Sequence, residues 1–180
     1  DAYVARPADQ PSAGLVIVQE IFGVNVHVRG VADGYATDGY LAVAPAIFDR
    51  VKRGVELGYS GDEVTEGRAL RAEVPWGASI TWPAATRLKP AAAVGYYGGN
   101  IYEFCDEQPN CPVMCHFGET DGQIPLDQVR AVQEAHPAAE VFSYAEAGHG
   151  FNCELRGSYH AESAKIARAR SLDFLGRTIG

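Results

Sequence analysis

Residues 14–20, GLVIVQE, form a near-continuous apolar run that ends on a charged residue. Such a run is typical of a strand buried on both faces of a parallel sheet. Apolar residues then recur at helical spacing over 28–36, Gly39 ends that helix, and a second apolar run, LAVAPAIF, occupies 41–48. A strand, a helix and a strand in this order predict a βαβ unit and place the chain in the α/β class.

The alternation of strands and helices continues to the end of the chain. Helical patterns occupy 62–73, with Asp62 as the expected N-cap, 126–136 and about 159–177, and strands are predicted at 91–98, 111–118 and 140–146. No internal repeat or low-complexity tract interrupts them. The 180 residues therefore predict one domain, 1–180, with an open, mostly parallel sheet covered by helices on both faces.

Composition excludes several classes of function. Net charge is −8 and the isoelectric point is about 5.1, which argues against nucleic acid and anionic membrane surfaces as partners. No stretch approaches the roughly 18 apolar residues of a membrane helix. The chain opens DAYVARPADQ, without the basic-then-apolar start of a secretory signal, so we expect a cytoplasmic location and four free cysteines.

Polar residues stand where three predicted strands end, at the edge of the sheet where α/β proteins gather their chemistry. Asp121, in GETDGQIP, either orients a histidine or serves only as a turn residue or helix cap. His149, in EAGHGF, is placed to move protons, the alternative being a loop histidine that donates to a backbone carbonyl. An acid followed by a histidine, with one helix and one strand between them, matches the last two members of an α/β-hydrolase triad.

Glu20 ends the first apolar run, where a buried carboxylate is costly unless it has a partner. It is either functional or a solvated charge at the strand end. Cys111, Cys115 and His116 raise the question of a zinc site, but on a strand the two cysteines point to one face and the histidine to the other. The sequence therefore does not predict a metal site on this strand.

Six stretches, spread in order along nearly the whole chain, resemble the dienelactone hydrolases (carboxymethylenebutenolidases). They are QEIFGVN, GYLAVAPAIFDR, VKRGVELGY, AVGYYGG, CHFGETDGQIP and GHGFNCELRGSYHAESAKIARARSLDFL. The resemblance implies a three-layer α/β-hydrolase with a mostly parallel central sheet. It also implies an enzyme that opens lactones or enol esters with a cysteine, a histidine and an aspartate.

The resemblance also assigns residues. Asp121 matches the family's acid, His149 its histidine, and Glu20 the glutamate that contacts the thiol in the resting enzyme. The backbone N–H of Ile21 matches one oxyanion-hole donor, and Arg156 stands where similar members keep a basic residue. The implied partner is a small-molecule lactone or ester, with no cofactor, and the chain is expected to be a monomer or a weak homodimer.

The family's nucleophile elbow, G-x-C-x-G-G between a strand and a helix, is absent. Pro75 stands where relatives carry the cysteine, and no apolar run separates the helix at 62–73 from Gly77. We therefore predict that one βα unit of roughly thirty residues is missing around 74–77. Either the chain lacks this unit, or the sequence is spliced across it.

Three other residues are poor substitutes for the missing cysteine. Tyr97, at the centre of GYYGG, is a weak acyl acceptor, Ser79 lies outside a G-x-S-x-G motif, and Cys105 is expected to be a small buried residue. Cys153, four residues after the histidine, stands near the place of an arginine in better-known members and leaves substrate preference open. The alternative function is a catalytically inactive relative that binds small molecules. Loss of a central strand is also expected to split the sheet.

Overall fold

A computed structural model describes residues 1–74 and 80–180, and the chain forms two compact units, Asp1–Ala78 and Ser79–Gly180. Except for Val74, the junction predicted at 74–77 lies outside the described residues. Ser79 lies outside them as well. Each unit has a three-stranded sheet. The sequence predicts a single open sheet, so the division into two sheets is a difference from that prediction.

The first unit contains strands, helices and one 3₁₀ turn in an α/β order. In chain order these are β1 (Ala2–Ala5), β2 (Gly14–Val16), α1 (Val26–Thr37), β3 (Leu41–Pro45), a 3₁₀ turn (Ile47–Arg50) and α2 (Gly61–Glu73). The strand order is β1-β3-β2, with β2 parallel to β3 and β1 antiparallel to it. The sequence prediction missed β1, a four-residue strand without a long apolar run.

Strand β2 differs from its prediction in both length and burial. The apolar run 14–20 predicts a strand buried on both faces, whereas the strand ends at Val16, whose surface is 70% exposed. Within its sheet β2 pairs only with β3, so it is an edge strand with one side uncovered.

Helix α2 lies at the predicted place, but its cap is different. Ser60, not Asp62, is the N-cap: its side chain accepts from the N–H of Glu63, and the Glu63 side chain accepts from the N–H of Ser60. This reciprocal capping box satisfies two backbone donors at once, which a lone cap at Asp62 cannot do. Asp62 instead lies in the first turn, where its charge suits the helix dipole.

The second unit is a parallel α/β unit. Its elements are α3 (Thr81–Arg87), β4 (Ala93–Tyr96), a 3₁₀ turn (Ile101–Phe104), β5 (Val113–Gly118), α4 (Leu126–Ala135), β6 (Glu140–Tyr144) and α5 (Ala161–Thr178). The order is β4-β5-β6, all parallel, and every residue of the central strand β5 is buried. A continuous apolar run is typical of such a strand, so the sequence prediction for 111–118 is confirmed to within two residues.

Candidate active site

Asp121 and His149 contact each other directly in the second unit. Nδ1 of His149 lies 2.8 Å from Oδ2 of Asp121, a hydrogen-bond distance for a charge-assisted pair. The Asp121 side chain is fully buried, and that of His149 is 24% exposed. Because an ionised carboxylate can only accept, Nδ1 carries the proton of this contact, and Nε2 is the ring nitrogen left to act as a base. The sequence prediction that these two residues meet is therefore right.

Asp121 is also a turn residue, so both roles considered from the sequence apply to it. Its second carboxylate oxygen accepts from the N–H of Gln123 at 2.8 Å and of Ile124 at 3.2 Å, just before Pro125 caps α4. Burial alone would raise the pKa of Asp121. The hydrogen bonds from His149 and from the two amides outweigh burial and hold that pKa below its usual value. The carboxylate is therefore ionised and fixed in direction at neutral pH.

The loops that carry the acid and the histidine are tied together at Gly118. A β-carbon at Gly118 would overlap the carbonyl oxygen of Ala147, so the two backbones can approach only because this residue is glycine. The N–H of Thr120 donates to the same carbonyl at 3.0 Å, and that of Glu119 donates to the carbonyl of Tyr144 at 2.9 Å. These contacts fix the separation between the strand ends that carry Asp121 and His149.

The chain after His149 folds back over it. The Ser158 hydroxyl donates to the His149 carbonyl at 2.7 Å. Gly150 has φ +80°, and a β-carbon there would overlap the Arg156 guanidinium, so this side chain lies directly against the backbone beside the histidine. Cys153 is buried in the same loop, and its N–H donates to the Gly150 carbonyl at 3.0 Å. The sequence does not predict the part played by Ser158, since a serine in a loop carries no distinctive signal.

Tyr97 is the second site residue whose place the sequence does not predict. Its motif makes it only a weak candidate nucleophile, but its ring centroid lies 5.3 Å from that of His149. No periodicity or motif indicates this contact, because it depends on an unusual backbone conformation at the end of β4.

Glu20 and Ile21 lie in a turn of the first unit. The Gly23 N–H points to the Glu20 carbonyl at 3.4 Å, and the Leu57 N–H donates to the Phe22 carbonyl at 2.9 Å. The Phe22 and Tyr59 rings meet edge to face at 4.5 Å, so the turn is held by the segment before α2. Glu20 is half-buried rather than a fully solvated charge. That Glu20 and Ile21 act together with the Asp121–His149 pair stays a prediction.

The cysteines of β5 and its approach are packed in the core. Cys111 packs against the core cluster that contains Cys115, and burial raises the pKa of the Cys115 thiol to about 12 and that of Cys111 in the same direction. His116 instead makes hydrogen bonds to Tyr144 and Ser171. Across residues 1–74 and 80–180, no three His, Cys, Asp or Glu side chains are grouped to hold a metal ion. Cys105 is half-buried, less than predicted.

Comparison with known proteins places this site in a family. The sequence profile of the dienelactone hydrolase family matches residues 1–72 and 75–179. A protein of Escherichia coli O157:H7 named "Putative carboxymethylenebutenolidase" is 33% identical over 221 residues, which cover 96% of this chain and 80% of that protein. The carboxymethylenebutenolidase of Pseudomonas putida is 28% identical over 211 residues, covering 97% of this chain and 89% of its own.

A solved structure gives the same result. The crystal structure named "Putative Dienelactone Hydrolase" from Klebsiella pneumoniae superposes with a TM-score of 0.77 and 31% identity, over 98% of this chain and 92% of that one. The fold class is thus that of the α/β-hydrolases, as the sequence predicts. Within that class the chain belongs to the dienelactone hydrolase family, and this membership supports hydrolysis of lactones or esters. None of the helices in the described residues has the length and apolar character needed to span a bilayer.

Proposed function

We propose that this protein, with its nucleophile segment in place, hydrolyses lactones or activated esters by a Cys–His–Asp mechanism, with His149 as general base and Asp121 as its orienting acid. The observation that carries the proposal is the 2.8 Å contact between His149 Nδ1 and the buried carboxylate of Asp121. A carboxylate so placed keeps the imidazole in one tautomer and stabilises the imidazolium that forms when Nε2 takes up a proton.

The reaction has two halves. A cysteine thiol gives its proton to Nε2 of His149, and its sulfur attacks the carbonyl carbon of the substrate. The bond from this carbon to the leaving oxygen breaks, and His149 returns the proton to that oxygen, which opens the ring of a lactone. His149 then takes a proton from water, whose oxygen attacks the thioester carbonyl carbon. The carbon–sulfur bond breaks, His149 returns its proton to the sulfur, and a carboxylic acid leaves.

The nucleophile of this proposal lies on a βα segment between Val74 and Gly77 that the present sequence lacks. The family profile stops at residue 72 and resumes at 75. The alignment with the E. coli protein spans 221 positions, whereas 96% of 180 residues is about 173, so about 48 positions face no residue of this chain. A lost neighbouring strand also accounts for the 70% exposure of Val16 at the edge of its sheet.

The family resemblance gives Glu20 and Ile21 further roles in this proposal. The Ile21 N–H and the N–H of the residue after the nucleophile bind the oxyanion, where two such donors act most strongly. Glu20 contacts the thiol in the resting state. The proposed substrate is a small lactone or ester, and the proposed cellular location is the cytoplasm.

A second candidate, a non-catalytic binding protein, is favoured by the burial of Cys115 on β5. The Cys115 thiol, with a pKa raised to about 12 by burial, is almost never a thiolate at neutral pH. Without an elbow, an acid and a base cannot form an acyl intermediate on their own. A relative that keeps only these two residues is limited to binding.

Restoration of the missing segment tests the proposal. Intact mass first distinguishes a purified chain of 19.3 kDa, which lacks the segment, from a heavier chain that carries it. The segment of the P. putida protein that faces the gap is then inserted between Val74 and Gly77, and p-nitrophenyl acetate hydrolysis is measured with and without iodoacetamide. We expect an iodoacetamide-sensitive rate only in the inserted chain, and buffer rates in the original.

Two matched controls accompany this assay. Changing the inserted cysteine to alanine should abolish the rate, and His149→Ala in the inserted chain should lower it by roughly 10²–10⁴-fold, the range for loss of a general base. A folded inserted chain that stays at the buffer rate favours the binding protein. Full turnover without His149 removes the histidine from the mechanism.

A further inference from the structure

Tyr97 has a backbone conformation that tyrosine rarely adopts. It follows β4 directly and has φ +38°, and among the described residues only Tyr97 and Glu146 combine a side chain with a positive φ. Its N–H donates to the His116 carbonyl at 2.8 Å, which continues the pairing of β4 with β5. Strain of this kind persists only where the surrounding structure imposes it, and it is concentrated at functional sites.

The consequence of this conformation is the direction of the Tyr97 ring. The ring is 8% exposed, and its centroid lies 5.3 Å from that of His149, with the planes at 59°, and 5.7 Å from that of Phe151, with the planes at 77°. Neighbouring Tyr96 instead sends its hydroxyl to Ser171 of α5 and packs its ring 4.6 Å from His116. Both tyrosine rings approach Phe151, which lies 6.4 Å from the ring of Tyr96, but the ring that packs against His149 is that of Tyr97.

We propose that Tyr97 is a positioning residue for His149. Asp121 holds the imidazole by one edge, through Nδ1, and a hydrogen bond at one edge leaves the ring free to tilt. The Tyr97 ring packs against the imidazole at a distance typical of stabilising aromatic pairs and limits that tilt. The inference rests on the proposed function for its catalytic meaning, since it assumes that His149 is the base.

A role as core filler alone does not account for these observations. A leucine would occupy apolar space in a relaxed extended conformation, whereas Tyr97 tolerates backbone strain that places an aromatic ring beside His149. The aromatic ring of Tyr97, rather than its hydroxyl, therefore positions His149. Phenylalanine at position 97 should serve equally well.

The test measures the tautomer of His149 in the chain as it stands, by long-range ¹H–¹⁵N correlation spectra at a fixed pH of about 8. The variants are Tyr97→Phe, Tyr97→Leu and Tyr97→Gly, the last of which relieves the backbone strain and still removes the ring. Asp121→Asn removes the carboxylate that holds Nδ1, so it gives the tautomer ratio expected for a His149 ring released from Asp121. Tyr35→Leu is the matched control, because it removes another buried tyrosine ring, one that pairs with Tyr40 in the first unit.

We expect the ratio of Nε2–H to Nδ1–H tautomers to rise by about threefold to tenfold in both the leucine and the glycine variants, as the loss of an aromatic pair implies. Tyr97→Phe and Tyr35→Leu should stay within about twofold of the native ratio. An unchanged ratio in the leucine and glycine variants overturns the proposal, as does an equal rise in Tyr35→Leu or in Tyr97→Phe. Because this ratio needs no turnover, its outcome is independent of the esterase assay that tests the proposed function.

Discussion

At the scale of single residues, the close approach at Gly118 fixes the site. Gly118→Ala forces a β-carbon against the Ala147 carbonyl, so the loops of Asp121 and His149 must separate. We expect a loss of about 2–4 kcal/mol in the free energy of unfolding, as for other overpacked backbones, and a longer Asp121–His149 contact. Urea unfolding and the His149 tautomer ratio measure the two effects.

Gly122 provides a matched control for Gly118 in the same turn. A β-carbon at Gly122 meets no atom within 4 Å. Gly122→Ala should therefore change the free energy of unfolding by less than about 1 kcal/mol, the usual range for surface positions and Gly→Ala changes. Equal losses in the two variants would contradict the steric argument.

Glu146 is the second strained residue, three positions before His149. It has φ +60° and is exposed, so glycine at this position removes strain without removing a buried contact. Glu146→Gly should raise the free energy of unfolding by about 1 kcal/mol, since left-handed backbone costs an ordinary residue about 1–2 kcal/mol. Ala145→Gly, at the preceding position, should lower it by about 0.5–1 kcal/mol through entropy. Urea unfolding that shows a loss in both variants would refute the assignment of strain to Glu146.

Some of these residues can be predicted from sequence and others cannot. Asp121 and His149 are predictable because each follows a strand whose apolar run is clear, and parallel strands end at the same edge. The choice of Ser60 over Asp62 as cap requires knowledge of which backbone donors are reached. The contact of Tyr97 with His149 depends on a positive φ that no motif or residue spacing indicates.

At the scale of elements, helix α5 is fixed to the sheet by a buried polar network. The Ser171 hydroxyl lies 3.0 Å from Nε2 of His116 and 2.8 Å from the Tyr96 hydroxyl, and Nδ1 of His116 lies 2.8 Å from the Tyr144 hydroxyl. The side chains of β4, β5, β6 and α5 thus meet in one network. The Ser171–His116 contact has the composition of a catalytic pair, but neither residue has any exposed surface, so the pair is structural.

Removal of the Ser171 hydroxyl should weaken this junction. Ser171→Ala withdraws a partner from His116 and from Tyr96, and we expect a loss of about 1–3 kcal/mol in the free energy of unfolding. Thr178→Ala is the control, since that hydroxyl bonds only to carbonyls of its own helix, and it should cost less than about 0.5 kcal/mol. In the double variant Ser171→Ala/Tyr96→Phe the losses should not add, because the two hydroxyls share one contact. Additive losses by urea unfolding would contradict the network.

Element types follow from the sequence more reliably than element burial. The helices at 62–73 and 126–136 are confirmed to within a residue, because apolar spacing and terminal residues mark both ends. Strands β2 and β5 both lie in apolar runs of the sequence, yet Val16 is exposed and every residue of β5 is buried. Burial depends on how many neighbours a strand has, and composition does not record that number.

At the scale of the whole molecule, composition again does not record which strands are neighbours. This explains why the sequence predicts one sheet and two are observed. Alternating strands and helices predict a parallel sheet, but pairing between strands far apart in sequence depends on which strands are present. The six strands of the described residues form two sheets of three. The sequence does predict that loss of a central strand splits the sheet. The two units divide between Ala78 and Ser79, a few residues after the interruption of the family profile between residues 72 and 75.

Acid should destabilise the second unit through His116. Burial, followed by the charge of Arg170, lowers the pKa of His116 to about 3 from its ordinary 6.5. Below pH 6.5 the unfolded chain therefore binds a proton that the folded unit rejects, so stability falls as pH decreases from about 6.5 toward 3. The fall approaches about 1.4 kcal/mol per pH unit. Asp121 adds to this loss only below its ordinary pKa of 3.8, because its own pKa is lowered in the fold.

A variant without the histidine isolates this effect. Urea unfolding at pH 7, 6, 5 and 4.5 can be followed by the fluorescence of buried Trp82 in a Trp76→Phe background. His116→Gln should be less stable at pH 7, because its amide cannot satisfy both hydroxyls in the ring's geometry, but its stability should fall less steeply with acid. The free energies of unfolding of the native protein and of His116→Gln should therefore converge toward pH 4.5. Only the native protein has a histidine at this position whose folded state rejects a proton. Parallel curves over this range would mean that His116 is not the group that makes the fold sensitive to acid.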